Sequence, residues 1–233
     1  MKVRSPTFGP IHAIVPVNVL RKSKARLSPI LSARERAQLT VAMLADVLYA
    51  LRKVRRIRSV TVVSADKDAG KIAMRFGANF LWEGNRRGLN KGVRLAIRNS
   101  ERRGASAVLV IHADLPLLTP REIQRFLVKS RGYPMALAPS KDGRGTNALL
   151  LHPPQVIAPV FGKDSFRRHL SLSSQRGISR RVLRFRGISF DMDEPRDLVE
   201  LMQRPGRNET GRFLSSLRNR GLKLAERHLA YVS

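Results

Sequence analysis

The sequence predicts an α/β protein: three layers, with a mostly parallel central sheet and helices on both faces. Three observations carry that reading. Short runs rich in Val, Leu and Ile alternate with segments whose apolar residues recur at helical spacing, the pattern of repeated strand–helix units. The run Ala107 to Ile111 is apolar throughout, as a strand buried on both faces must be. It leads into Asp114 with Pro116 just beyond, and the carboxyl ends of such strands are where open α/β sheets place their ligands. Asp114 is therefore a candidate metal ligand or general base; capping a turn before Pro116 is the alternative.

The chain has 233 residues, 42% of them hydrophobic, enough for a sizeable core and too many for wholesale disorder. It has neither a linker-like stretch nor an internal repeat, and is read as one domain over residues 1–233. With no cysteine, disulfides, thiolate metal sites and cysteine nucleophiles are excluded. No run approaches the ~20 apolar residues of a membrane span, and Met1 to Pro10 lacks the apolar core of a signal peptide. A soluble cytoplasmic protein is expected. Charge is the outlying property, with 45 Lys and Arg against 17 Asp and Glu, a net +28. Such an excess attracts polyanions: nucleotides, phosphorylated metabolites, nucleic acid. The basic residues are spread along the chain without interleaved aromatics that could stack on bases, which fits nonspecific nucleic-acid association better than a dedicated reading surface.

Taken in order, residues 11–17 form the first strand-like run. A loop follows with Arg21, Lys22, Lys24 and Arg26 and no acid. A loop after the first strand is a usual phosphate site, although without a glycine-rich turn side-chain cations must do the holding; a merely solvated basic loop is the alternative. Ser32 with Glu35 is a capping-box start, and Leu44, Val47, Leu48, Leu51 and Val54 continue one helical face. Val60 to Val63 reads as a strand, Asp68 to Phe76 as a short helix stopped by Gly77, and Asn79 to Trp82 as a weak strand. Gly84 to Asn90 is a turn-rich link, with Asn85, Arg86 and Arg87 inside it, into a helix over Lys91 to Arg102.

Beyond Asp114, Thr119-Pro120-Arg121-Glu122 has the cap, first-turn proline and acid of a helix start. Met135 to Ala138 and Ala148 to Leu151 are strand-like around a loop with Gly143 and Gly145. Asp164 or Ser165 is expected to cap a helix carrying Phe166, Leu170 and Leu172, and that helix start with Lys163, Arg167 and Arg168 could also hold an anion. Ile188 to Phe190 reads as a last strand. It closes on Asp191-Met192-Asp193-Glu194-Pro195, which either caps the next helix or, with four acids in seven residues of a basic chain, gathers around a cation. Residues 203–233 are basic and are expected to form a helical appendage packed through Phe213, Leu217, Leu224 and Leu229. His112 is expected to be a packed strand residue.

The cationic loop, Asp114 and the pair Asp191 and Asp193 all fall at the carboxyl edge of such a sheet. Carboxylates from two strand ends can hold Mg²⁺ together with substrate phosphates, and Lys and Arg opposite them neutralise a triphosphate. That is equipment for phosphoryl or nucleotidyl transfer, without a P-loop or kinase motifs.

Six segments stand in an order that resembles a known family: Lys24-Ala25-Arg26-Leu27-Ser28-Pro29, Gly88-Leu89-Asn90, Ala113-Asp114-Leu115-Pro116-Leu117-Leu118, Gly145-Thr146-Asn147-Ala148-Leu149, Phe161-Gly162-Lys163-Asp164-Ser165-Phe166 and Asp191-Met192-Asp193-Glu194-Pro195-Arg196-Asp197-Leu198. Over residues 11–202 the chain resembles the 2-phospho-L-lactate guanylyltransferases of coenzyme F(420) biosynthesis. The resemblance implies a nucleotide-diphospho-sugar transferase-like, Rossmann-like fold. It also implies Mg²⁺-dependent joining of GTP to (2S)-2-phospholactate with release of pyrophosphate, and a homodimer. It implies that Lys24 and Arg26 grip the GTP phosphates and act in catalysis, and that Asn90 helps hold guanosine. Asp114, Asp191 and Asp193 would bind the metal, and Thr146, Gly162 and Ser165 the phosphorylated acid. Ala25 departs from the pattern, where Ser or Thr is frequent, as does the high positive charge. Phosphoenolpyruvate and 3-phosphoglycerate are the alternative acceptors, a molybdopterin-dinucleotide synthase fits the phosphate loop less well, and a basic RNA-associated protein is the reading from another class.

Overall fold

A computed structural model of the chain describes residues 8–84, 88–203 and 206–219, and the part of the Gly84 to Asn90 link at 85–87 lies outside them. Seven strands form one sheet in the order β3-β2-β1-β4-β6-β5-β7. They are β1 Ile11–Pro16, β2 Ile57–Ser64, β3 Asn79–Trp82, β4 Ala107–Ile111, β5 Met135–Pro139, β6 Thr146–Leu151 and β7 Arg180–Val182. Strands β1 to β4 are parallel, β6 runs antiparallel to β4 and β5, and β7 is parallel to β5. Reversal of β6 brings its first residues, Thr146 and Asn147, to the edge where β1 and β4 end, and His112 N–H donates to the Asn147 carbonyl at 3.0 Å.

The helices are α1 Ala33–Arg52, α2 Lys67–Arg75, α3 Leu89–Arg102, α4 Pro120–Lys129, α5 Ser165–Gln175, α6 Arg186–Ser189, α7 Pro195–Gln203 and α8 Glu209–Asn219. The Ser32–Glu35 capping box is formed, and Thr119 Oγ1 caps α4 by accepting Glu122 N–H at 3.2 Å. One face of the sheet buries residues of α1, α2, α4 and α6, among them Leu48, Ala73, Phe126 and Ile188. The other buries Val93, Ala96 and Ile97 of α3, with Phe166, Leu170 and Leu172 of α5 packed against the same cluster. The three layers follow from this: β4 and β6 are apolar throughout because both of their faces are covered.

Two elements differ from the sequence expectation. Ile188 to Phe190 is not a strand: Arg186–Ser189 is the helical turn α6, with Phe190 N–H bonded to the Arg186 carbonyl. Gly187 permits it, because its N–H meets Glu122 Oε1 at 2.8 Å so closely that a Cβ would strike the Leu117 carbonyl. The seventh strand is instead Arg180–Val182, whose charged edge position leaves no apolar run to signal it. Neither Asp164 nor Ser165 caps α5 through a side chain; Asp164 takes the left-handed conformation at φ 52° and Ser165 turns inward.

A third apolar cluster lies beyond the sheet. It joins Leu27 and Leu31 of the loop after β1 to Met192, to Leu198 and Leu201 of α7, and to Leu214 and Leu217 of α8. Of the expected helical appendage over 203–233, α8 lies within the described residues; Leu224 and Leu229 lie outside them. Buried Asp46 of α1 fixes the start of α8, accepting Glu209 N–H at 2.8 Å, Thr210 N–H at 2.9 Å and the Thr210 hydroxyl at 2.6 Å. Asn208 Nδ2 donates to the Pro116 carbonyl at 2.8 Å, tying the same start to the loop that follows Asp114. Because Asp46→Ala strands three donors, it is expected to cost about 2–3 kcal/mol in urea unfolding. It should also expose α8 to protease before the sheet melts, whereas Thr210→Val should cost less; equal stability of Asp46→Ala and wild type would refute this anchoring.

Candidate active site

The carboxyl ends of β1 and β4 border a cleft of about 380 Å³, lined among others by Asn18, Lys24, Arg26, His112, Asp114 and Asp193. Lys24 lies between two short 3-10 turns, Leu20–Lys22 and Ala25–Leu27, and holds a left-handed backbone at φ 55°, ψ 40°. For a residue with a Cβ this conformation costs about 1 kcal/mol and persists only where its surroundings enforce it. Fully buried Leu27 supplies part of that enforcement.

The Lys24 ammonium donates to Asp114 Oδ2 at 2.6 Å and to Asp193 Oδ1 at 2.8 Å, with its side chain only 7% exposed. Burial alone would draw the lysine down, but the carboxylates of Asp114 and Asp193 outweigh it and hold Lys24 above the ordinary lysine value. Burial pushes the Asp114 carboxyl up, and the Lys24 charge overrides it, leaving Asp114 below the ordinary carboxylate value. Asp191 is raised: burial pushes it up, and the charges of Asp114 and Asp193 raise it further. Asn147 Nδ2 donates to Asp191 Oδ1 at 3.3 Å.

The acidic loop is held from beneath. Met192 N–H bonds to the Asp114 carbonyl at 3.1 Å, and buried Asp197 accepts the N–H groups of Asp193 at 2.9 Å and Glu194 at 2.8 Å. Asp197 is itself paired with Lys141, whose ammonium lies 5.1 Å from the Phe190 ring centre. The acidic stretch thus meets a cation through Asp193, which faces Lys24, while Asp197, inside the first turn of α7, takes the N–H groups of Asp193 and Glu194.

Metal-holding capacity divides along the same line. Among the described residues, no group of three His, Asp or Glu side chains has the spacing to hold a metal ion, because Asp114 and Asp193 close on Lys24. The donors nonetheless suit a hard cation. Asp114 Oδ1 is buried without a hydrogen-bond partner among the described residues, and Asp191 and Asp193 are oxygen donors beside it.

The remaining predicted residues spread around this centre. Arg26 is 73% exposed at the rim, 3.8 Å from Glu194. Asn90 clamps the 161–165 loop, its Oδ1 accepting Phe161 N–H at 2.7 Å and its Nδ2 donating to the Phe161 carbonyl at 3.0 Å. Gly162 has φ 113°, open to glycine alone in practice, and leads into α5. Thr146 and Ser165 are buried and face each other at 3.4 Å.

Three residues escaped the sequence reading. His112 is packed, its ring against Phe161, as expected, but it stands just past β4 and also lines the cleft. Asp197 was legible as an acid in the first turn after Pro195, although its acceptance of two upstream N–H groups was not. His169 gave no signal. It is fully buried, its Nε2 accepts Val160 N–H at 3.0 Å, and its Nδ1–H is thereby directed to Thr146 Oγ1 at 3.0 Å.

Burial, with Arg168 nearby, lowers His169 from 6.5 to about 4. The unfolded imidazole takes a proton near 6.5 and the folded one only near 4, so the contribution of this group is complete above about 6.5 and is lost as pH falls toward 4. It amounts to about 3 kcal/mol. Melting temperature should therefore fall across that window in the wild type and fall less steeply in His169→Gln; parallel curves would remove His169 from the role.

The family model described as "Guanylyl transferase CofC like" matches residues 11–225. A phosphoenolpyruvate guanylyltransferase of Sphaerobacter thermophilus is 41% identical over 81% of this chain and 91% of its own length. A 3-phospho-D-glycerate guanylyltransferase of Colwellia psychrerythraea is 33% identical over 80% and 89%. A 2-phospho-L-lactate guanylyltransferase of Methanobrevibacter smithii is 29% identical over 89% and 91%. Among solved structures, a candidate nucleotide-diphospho-sugar transferase from Desulfovibrio desulfuricans superposes with a TM-score of 0.74 at 17% identity, covering 90% of this chain and 95% of that one, a likeness of fold. A family match over nearly the whole chain, on a sheet whose carboxyl edge gathers Lys24, Asp114 and Asp193, places the protein: it belongs to the CofC-like guanylyl transferases.

Proposed function

We propose that the protein transfers the guanylyl group of GTP to phosphoenolpyruvate, releasing pyrophosphate. The observation that carries the reaction type is the buried Lys24 ammonium held between Asp114 and Asp193 in the cleft. The acceptor rests on relatives of 33–41% identity named as phosphoenolpyruvate guanylyltransferases, against 29% for the relative named for 2-phospho-L-lactate, the acceptor expected from the sequence. The product's place in coenzyme F(420) biosynthesis and a homodimeric state are part of the same proposal.

In this mechanism an oxygen of the acceptor's phosphate attacks the α-phosphorus of GTP in line. A new P–O bond forms as the bond from the α-phosphorus to the bridging oxygen of pyrophosphate breaks. The nucleophile is already an anion, so no residue need act as base. Lys24 has two N–H groups on carboxylates and a third left for a phosphate oxygen, and Arg26 at the rim adds a second cation. Asn90 retains one amide N–H and one carbonyl lone pair for guanosine. Thr146, Gly162 and Ser165 would receive the acid at the N-terminus of α5. Asp114, Asp191 and Asp193 would hold Mg²⁺, which supplies Lewis-acid stabilisation of charge on the phosphates when bound.

The test is pyrophosphate release with phosphoenolpyruvate, 2-phospho-L-lactate and 3-phospho-D-glycerate, each against GTP, ATP and CTP. Fastest release is expected from GTP with phosphoenolpyruvate. A faster rate with another acid would reassign the acceptor, and no release from any pair would sink the transferase reading. Asp114→Asn should lose at least about 90% of the rate, little over 1 kcal/mol of barrier, while remaining folded by circular dichroism.

A further inference from the structure

Two polar atoms in the wall of the cleft are shielded from solvent and have no hydrogen-bond partner among the described residues: Asp114 Oδ1 and His112 Nε2. Leaving such an atom unpaired lowers stability, and native structures keep few of them without a reason. Asp114 has one in the reading above. His112 has none, since neither the family motifs nor the proposed mechanism uses it.

Its orientation is fixed by packing. The His112 ring lies 5.3 Å from the ring of Phe161 at a 48° tilt, and the Phe161 backbone is gripped on both its N–H and its carbonyl by Asn90. On its other side Phe161 meets His169 edge-on at 5.2 Å. An imidazole between a clamped aromatic ring and the cleft cannot turn its free nitrogen elsewhere cheaply. Its position also says which substrate it would meet. Phe161 leads directly into Gly162 and α5, so the cleft wall at His112 backs onto the segment that starts α5, whereas Lys24 and Arg26 enter from the loop after β1.

We propose that His112 is a substrate-contact residue whose Nε2 hydrogen-bonds an oxygen of the phosphorylated acid. This rests on the guanylyl-transfer reading for the identity of the ligand, while the unpaired nitrogen itself is independent of it. An acid of this class carries more oxygens than the main-chain donors at α5 and the Thr146 and Ser165 hydroxyls can serve, and a ring nitrogen in the cleft wall supplies one further partner. His112 would thus serve acceptor recognition while weakening the empty protein.

The experiment compares wild type, His112→Phe and His112→Gln by two readouts. Steady-state pyrophosphate release should show KM for phosphoenolpyruvate about tenfold or more higher in His112→Phe, with KM for GTP within about twofold of wild type. His112→Gln, which can set an amide where Nε2 stood, should recover part of that loss. Thermal unfolding without ligand should find His112→Phe as stable as wild type or more so, since an unpaired buried atom has been removed; phosphoenolpyruvate should raise the wild-type midpoint more than that of His112→Phe. Unchanged acceptor KM in His112→Phe, or equal rises in both KM values, would overturn the proposal. If wild type turns over no nucleotide pair, the functional reading fails on its own, and the midpoint shifts with phosphoenolpyruvate still decide whether His112 contacts the acid. If His112→Phe does not fold, His112→Gln decides: a raised KM for phosphoenolpyruvate with an unchanged KM for GTP and a smaller midpoint shift support the contact, and wild-type values or a rise in both KM values overturn it.

Discussion

The structure turns on one constraint: Asp114, Asp191 and Asp193 crowd a sheet edge, and one buried lysine stands among them. Removing both carboxylates would leave the Lys24 ammonium buried without a partner; the bond to Asp114 is the more sheltered of the two, since the Asp193 side chain is 44% exposed. The loop after β1 must therefore accept a left-handed residue at Lys24, and the acidic loop must lie where Met192 N–H reaches the Asp114 carbonyl. Three segments far apart in sequence are fixed by a single ammonium.

Helices α7 and α8 make sense in that light. They contribute neither strand nor cleft wall, yet Leu198, Leu201, Leu214 and Leu217 bury Leu27 and Met192 in one cluster. The residue three beyond Lys24 and the residue between Asp191 and Asp193 thus share a core, and the ion pair rests on it. Asp46 and Asn208 extend the support by fixing α8 to α1 and to the Pro116 carbonyl. Asp197 adds a polar strut, converting the first turn of α7 into a holder for the Asp193 backbone. The electrostatic centre is kept rigid by apolar packing and by buried caps, each of which is a local device of helix chemistry.

How much of this was legible in the sequence follows from the range of each signal. Capping at Ser32 and Thr119 and the buried run of β4 were readable, because helix starts and two-faced burial leave their mark within a few residues. The strand β7 was not, since an arginine-rich edge strand lacks the apolar alternation that identifies strands. Ile188 to Phe190 misled because three apolar residues cannot distinguish a strand from one helical turn; the contact of Gly187 with Glu122, 65 positions away, decided it. In the site, Lys24, Asp114 and Asp193 were found as charges at strand ends, but their direct pairing depends on backbone placement that spacing does not encode. His112 and His169 were missed for the same reason: a histidine acquires meaning from what its ring nitrogens face.

The same limit explains why acceptor identity is the least legible property of the chain. Phosphoenolpyruvate and 2-phospholactate differ by two hydrogens at the same carbon skeleton, and 3-phosphoglycerate by a hydroxyl and a shifted phosphate. A pocket separates ligands that similar by about 1–3 kcal/mol, the scale of one hydrogen bond or one methylene. In the proposed mechanism Lys24 and Arg26 would meet the phosphates of GTP, and the start of α5 would meet anionic groups that all three acids share. Discrimination has to come from groups that sense shape and oxygen placement, and in the proposal made for it the His112 imidazole, packed on Phe161, is one of these. On that proposal position 112, immediately before Ala113-Asp114, would tune acceptor recognition without entering the ion pair of Lys24 with Asp114 and Asp193.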